Sequence, residues 1–440
     1  MHAFTGHLPG SREYRRLLAG LFFAGIATFA QLYSTQAVLP FIAEEFSASP
    51  ADAALSVSVT TLGLAASVIG WSVVADRIGR VPAMTIGIVA ATLCGLVAPL
   101  SPTLELLLLA RGLEGVALGA VPAIALAYLA EEVDAGHTAA AAGSYIAGTS
   151  IGGLAGRLVA GPFGDIGQWR WGVFAVAAVC VVSAVLFLTL IPAARGFEPG
   201  IRRGGPSLWA RLRMNLGDRR QVALYAQGFL LMGGFVAVYN YLGFRLLAPP
   251  FALPLWVVSF LFLAYLAGTV ASPWAGRLGA RSGRLPVLLA STAVMAGGLT
   301  LTLVDTIWAV VIGLLAMTAG FFAAHAIASG WAPVASAPEA RAQAASLYYL
   351  GYYGGSSLFG WLLGFAFAGF AWPGVAGGVL VMVAIAAGLA IAWLRADAGS
   401  PRPRGPLNRV GAWTSSKRSA GSALPSSSSH CCRPGSRGCD

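Results

Sequence analysis

Val74-Ala75-Asp76-Arg77-Ile78-Gly79-Arg80-Val81-Pro82 and Leu278-Gly279-Ala280-Arg281-Ser282-Gly283-Arg284-Leu285-Pro286 carry one pattern twice, Arg-x-Gly-Arg-x-Pro, with Arg281 204 residues beyond Arg77. Each copy stands between the second and third of six long apolar runs. A period this long, repeated at the same place in each half, marks duplication of a whole folding unit. Two six-helix halves of parallel topology make a two-lobed bundle around a central cavity.

Composition points the same way. Of 440 residues 57% are hydrophobic and 10% charged, and the mean hydropathy is +0.74. A soluble domain carries about 25% charged residues, so this chain lacks the polar surface that water requires. Its 56 glycines show no Gly-X-Y period and suit helices packed closely in lipid. The net charge of +11 falls at the ends of apolar runs and in the C-terminal tail, which argues against nucleic acid as a partner. Cys94 and Cys180 read as packing residues. Cys431, Cys432 and Cys439, beside His430, make a poor tetrahedral set, and no metal or cofactor is expected.

A spanning helix needs about 20 mostly apolar residues, and twelve stretches qualify, from Leu17–Leu39 to Pro373–Leu394. Only helices or closed barrels satisfy their backbone in lipid, so the expected class is an all-α membrane protein. The first stretch outruns a signal-peptide core and has no convincing cleavage site after it, so it reads as a retained helix. The expected organisation is an N-terminal segment (1–16), a six-helix lobe (17–192), a central loop (193–221), a second lobe (222–395) and a disordered tail (396–440). A short interfacial helix is expected around Leu208–Leu216. Arginines gather in alternate loops while Glu44, Glu45 and Asp52 occupy the first intervening one. By the positive-inside rule both termini are cytoplasmic, in a bacterial inner membrane.

On these residues the chain resembles the major facilitator superfamily over roughly residues 15 to 395. Asp76-Arg77-Ile78-Gly79-Arg80 is similar to that family's signature between spans 2 and 3, with Ser72 where Gly is usual and Ala280 in place of the second Asp. Arg111-Gly-Leu-Glu114-Gly115 is similar to its span 4 motif. Gly143, Gly148, Gly152 and Gly156 resemble the antiporter motif of the twelve-span drug/sugar:proton branch, with Gly153 where the motif has Pro and Arg157 where it has Gly. The resemblance implies proton coupling through Arg111 and Glu114. It also implies a conformational latch, built from Asp76, Arg77, Gly79 and Arg80 with Arg281, Gly283 and Arg284, in which Asp76 meets the N-terminal end of a facing helix.

The residues themselves leave alternatives open. Arg111 and Glu114, three apart on one helix face, form either a proton site or a static salt bridge. Arg157 has no carboxylate in its own span. It faces the cavity, reaches Glu114, or snorkels to the headgroups. Gly148, Gly152 and Gly156 recur every fourth residue and serve helix packing. Gln31, Tyr33, Thr35, Gln36, Tyr239, Asn240, His325 and Tyr349 join Arg157 as candidate substrate contacts, though His325 is equally a packing residue and the tyrosines interfacial anchors. No phosphate loop, His-Glu-x-x-His or GxSxG motif occurs, so neither ATP nor enzymatic chemistry is expected. The reading is a monomeric proton-coupled secondary transporter exporting a small organic compound. The alternatives are a nutrient-importing symporter and a non-transporting sensor or scaffold.

Overall fold

The computed structural model describes residues 6–134, 136–164, 168–196 and 207–395. The expected tail at 396–440 and the middle of the central loop, 197–206, lie outside them. Ten helical stretches are long and apolar enough to cross a membrane. The last, Pro338–Leu394, doubles back at Ala371 (φ 49°), two residues ahead of Pro373, and so makes two passes. Thr138–Gly164, 27 residues long, supplies another. All twelve expected passes are present.

In chain order, spans 1 to 6 are Arg12–Glu45, Pro50–Ile78, Arg80–Leu100, Leu104–Glu132, Thr138–Gly164 and Trp169–Leu190. Spans 7 to 10 are Arg219–Leu247, Leu255–Ser282, Arg284–Leu301 and Ile307–Ala335. Span 11 is 341–370 and span 12 is 372–394. Their starts carry local signals. Ser11 accepts from the Tyr14 N–H, which starts span 1 five residues before the expected Leu17. Ser49 and Asp52 form a capping box with Pro50 in the first turn of span 2. Thr103 and Thr306 cap spans 4 and 10. A helix is present at the expected Leu208–Leu216, with Trp209 79% exposed on it.

Glycine decides which spans touch. A Cβ on Gly148, Gly152 or Gly156 would run into the backbone of Phe22, Ile26 or Ala30, so span 5 lies directly against span 1. In the second half, Gly351 and Gly355 bring span 11 onto Tyr225 and Phe229 of span 7 in the same way. Gly115 packs on the Thr60 backbone and Gly298 on Gly313, joining spans 2 and 4 and spans 9 and 10. Such contacts are how helices associate where lipid offers no hydrophobic drive. The repeated loops also match. Gly79 and Gly283 adopt φ of 99° and 95°, a region essentially closed to residues with a Cβ.

The two halves meet at one end of the bundle, the end opposite the arginine-bearing loops. There the Ser357 hydroxyl donates to the Ser58 carbonyl at 2.7 Å, linking spans 11 and 2. Gly364 sits against Ala51, Gly161 and Gly164 against Ser259 and Leu255, and Gly243 against Pro40. Toward the arginine end, Gly70, Gly143 and Gly276 have open space around an added Cβ. The bundle is a cleft closed at one end and open at the other.

Candidate functional site

Two of the spans that line the floor of this cleft are broken. Span 1 stops being α-helical after Leu32, passes through Tyr33 to Thr35, and resumes as a 3₁₀ turn at Gln36–Val38 and a short helix at Leu39–Glu45. Pro40, which brings no N–H, sits just past the break. Span 8 turns from α-helix (Leu255–Phe260) to 3₁₀ (Leu261–Ala264) and back at Tyr265. Both interruptions were invisible to the sequence reading, which treated each span as one rod.

Arg157 of span 5 lies between these breaks and is 1% exposed. Its guanidinium carbon stands 4.0 Å from the ring centre of Tyr33, 4.6 Å from that of Tyr265 and 5.2 Å from that of Phe262. It donates to Gln36 Oε1 (2.6 Å), to the Gly153 carbonyl (2.5 Å) and to the Tyr265 hydroxyl (3.2 Å). Among the described residues it has no carboxylate partner. Gln36 passes the contact on, donating from Nε2 to Asn240 Oδ1 at 2.7 Å, and Asn240 donates to the Gly360 carbonyl of span 11 at 3.2 Å. Gln36 and Asn240 thereby join span 1 of the first half to span 7 of the second. Of the alternatives for Arg157, facing the space between the halves is the one observed. It neither snorkels outward nor touches Glu114.

Arg111 and Glu114 are both fully buried inside the first half, 2.5 Å apart. Arg111 also donates to the carbonyls of Gln31 (3.0 Å), Leu32 (3.0 Å) and Ser56 (3.1 Å) and to Ser34 Oγ (3.2 Å). The break in span 1 removes the regular α-helical partners from this end, where the Gln31 carbonyl also accepts from the Ser34 N–H at 3.1 Å, and the cation serves as a C-terminal cap. With its side-chain amide turned to suit its neighbours, Gln31 donates to Glu114 Oε1 and to the Ala91 carbonyl, each at 3.0 Å. Glu114 therefore faces spans 1 and 3, away from the cleft floor.

The other candidates divide. Tyr33, Gln36 and Asn240 belong to the Arg157 cluster. Tyr239 backs it, bonded to Thr318 at 2.8 Å and stacked on Phe262. Gln31 lies instead within the first half, and Thr35 is buried between spans 1 and 2, bonded to Ser56. His325 bonds the Tyr348 hydroxyl at 2.9 Å with Tyr352 beside it. Tyr349 is 43% exposed next to that group. In the loop between spans 2 and 3, Asp76 bonds Arg80 (2.6 Å), which also grips Glu131 (2.8 Å). In this conformation Asp76 meets no helix N-terminus among the described residues, and Arg77 and Arg281 are exposed. Arg284 stands over the Trp331 ring. Tyr265, Phe262 and Gly360 were not singled out from sequence. An aromatic in an apolar run carries no mark of its partner, and Gly360 contributes only a carbonyl.

Residues 21–268 match the family model of the Major Facilitator Superfamily. An Escherichia coli inner membrane transport protein, YnfM, is 40% identical over 86% of this chain and 90% of its own length. The chain belongs to the major facilitator superfamily. A second relative in Bacillus subtilis, YybF, named as an uncharacterized MFS-type transporter, is 35% identical over 86% of this chain and 93% of its own. Among solved structures, a bacterial homolog of the human lysosomal transporter Spinster, inward-facing and occupied, superposes with a TM-score of 0.69 at 16% identity. It covers 88% of this chain and 98% of its own. At that identity the likeness speaks for the fold alone. The major facilitator fold accounts for the paired six-helix halves, and the protein is an integral membrane transporter, not an enzyme.

Proposed function

We propose that this transporter exports a small organic compound across the bacterial inner membrane in exchange for protons, working as a monomer by alternating access. The observation that carries the proton coupling is the standing of Glu114: among the described residues it is the one carboxylate placed away from the ends of a span. An ionisable group at that depth is costly, at about 2.5–3.5 kcal/mol on insertion scales, and points to function. Arg111 beside it balances the charge when the proton leaves. With arginine-bearing loops on the cytoplasmic side, both termini are cytoplasmic and the open end of the cleft faces the cytoplasm. Substrate entering there reaches Arg157, and rocking of the halves then opens the opposite end. Asp76, Arg77 and Arg80, with Arg281, Gly283 and Arg284, would then close the cytoplasmic mouth.

The test uses proteoliposomes with an imposed pH gradient. Substrate flux should follow the gradient in the wild type. Glu114→Gln should lose gradient-driven accumulation while keeping exchange of substrate for substrate at equal pH. Flux indifferent to the gradient rejects the coupling. Accumulation inside right-side-out vesicles, with the pH gradient in its physiological sense, rejects export in favour of symport.

A further inference from the structure

Arg157 is a buried cation without a buried anion. Three neutral acceptors hold it, although its guanidinium offers five N–H donors, and aromatic faces form the rest of its cage. Neutral partners and ring faces compensate a desolvated charge less well than a carboxylate does. Glu114, which could have neutralised it, is committed to Arg111. Arg157 is drawn from one half and Tyr265 from the other, so what binds there senses both lobes at once.

The surroundings narrow what that can be. Phe235 and Phe321 stack at 4.0 Å, with Phe322 and Tyr265 edge-on to Phe235, so the side of the second half next to Arg157 is aromatic and apolar. No second arginine or lysine faces Arg157 among the described residues, so one negative charge is matched and two are not. A planar guanidinium meets a planar carboxylate through paired N–H donors, and flat rings favour a flat body.

We infer that the cleft of this transporter recognises organic monoanions, a carboxylate on an aromatic or otherwise planar body, with Arg157 as the anion's partner. This names the substrate class of the site already proposed and rests on the cleft being the substrate path. Benzoate, benzamide and benzylammonium share a ring and differ only in charge, and acetate keeps the carboxylate without the ring. In thermal unfolding of the purified full chain, at equal pH throughout, benzoate should raise the midpoint, acetate less so, and benzamide and benzylammonium not at all. Arg157→Gln should weaken benzoate about tenfold to a hundredfold, and Arg157→Lys should weaken it less. Tyr265→Leu, which leaves the cation in place, should weaken benzoate and leave acetate unchanged. That second variant keeps the test decisive should Arg157→Gln fail to fold.

Equal stabilisation by benzamide or benzylammonium, no stabilisation by any of the four, or a benzoate response untouched in both Arg157→Gln and Tyr265→Leu overturns the inference. Binding needs no gradient, so the benzoate shift is read at equal pH, apart from gradient-driven flux. A failure of proton coupling and a failure of the substrate class are thereby read separately.

Discussion

Arg111 shows how much one side chain can organise. It satisfies carbonyls from spans 1 and 2 and the carboxylate of Glu114 on its own helix. Arg111→Ala would strand a buried carboxylate and take the guanidinium from three carbonyls and Ser34 Oγ, and breaking a buried pair from one side costs about 3–5 kcal/mol. The expected result is a large fall in the unfolding midpoint or loss of folded protein in detergent. Glu114→Gln keeps a hydrogen-bonding group for Arg111 and should fold with a much smaller loss. Equal losses would mean that the pair matters only as packing. The spacing of three made this pair legible in sequence, because one turn of helix places those side chains together. Arg157 was legible only as an anomaly. Its partners lie 108 and 121 residues away in the chain, and no local pattern encodes them.

At the scale of helices, the glycine rows make sharper forecasts than the motif they resemble. Gly355→Ala drives a methyl into the Phe229 carbonyl, while Gly143→Ala meets nothing within 4 Å. The first should cost about 1–3 kcal/mol through overpacking, read as a lower unfolding midpoint. The second should leave the midpoint where it was. If Gly143→Ala keeps its stability yet slows transport, the open-end contact it forbids belongs to another stage of the cycle. Gly283→Ala asks a residue with a Cβ to adopt φ of 95° and should cost about 1–3 kcal/mol as well. Helix number, order and loop positions could be read from hydropathy, since a run of about 20 apolar residues has one use in a bilayer. The interruptions in spans 1 and 8 could not. At the first of them Arg111 takes the carbonyls of Gln31 and Leu32 from a distance of about 80 residues along the chain, and that is a tertiary matter.

For the whole molecule, the closed end depends on a few close approaches between halves. Cysteines replacing Ser58 and Ser357, where the Ser357 hydroxyl meets the Ser58 backbone carbonyl at 2.7 Å, should cross-link under oxidation and halt transport, with reduction restoring it. A cysteine at Gly70, where nothing approaches within 4 Å, should react readily with a bulky water-soluble thiol reagent in the same preparation. Poor labelling at Gly70 together with ready labelling at Ser357 would mean that the opposite conformation dominates in the membrane. The bond between Gln36 and Asn240 joins these scales. Carboxamides have a direction, and the bond from Arg157 fixes the direction of Gln36: oxygen toward the cation, nitrogen toward Asn240. That in turn sets which face Asn240 offers to Gly360 in the other lobe. A guest that claims the N–H of Arg157 leaves both amides at liberty to turn over. On the proposed substrate path, an occupied floor would then be felt in the other lobe through the rotation of two side chains.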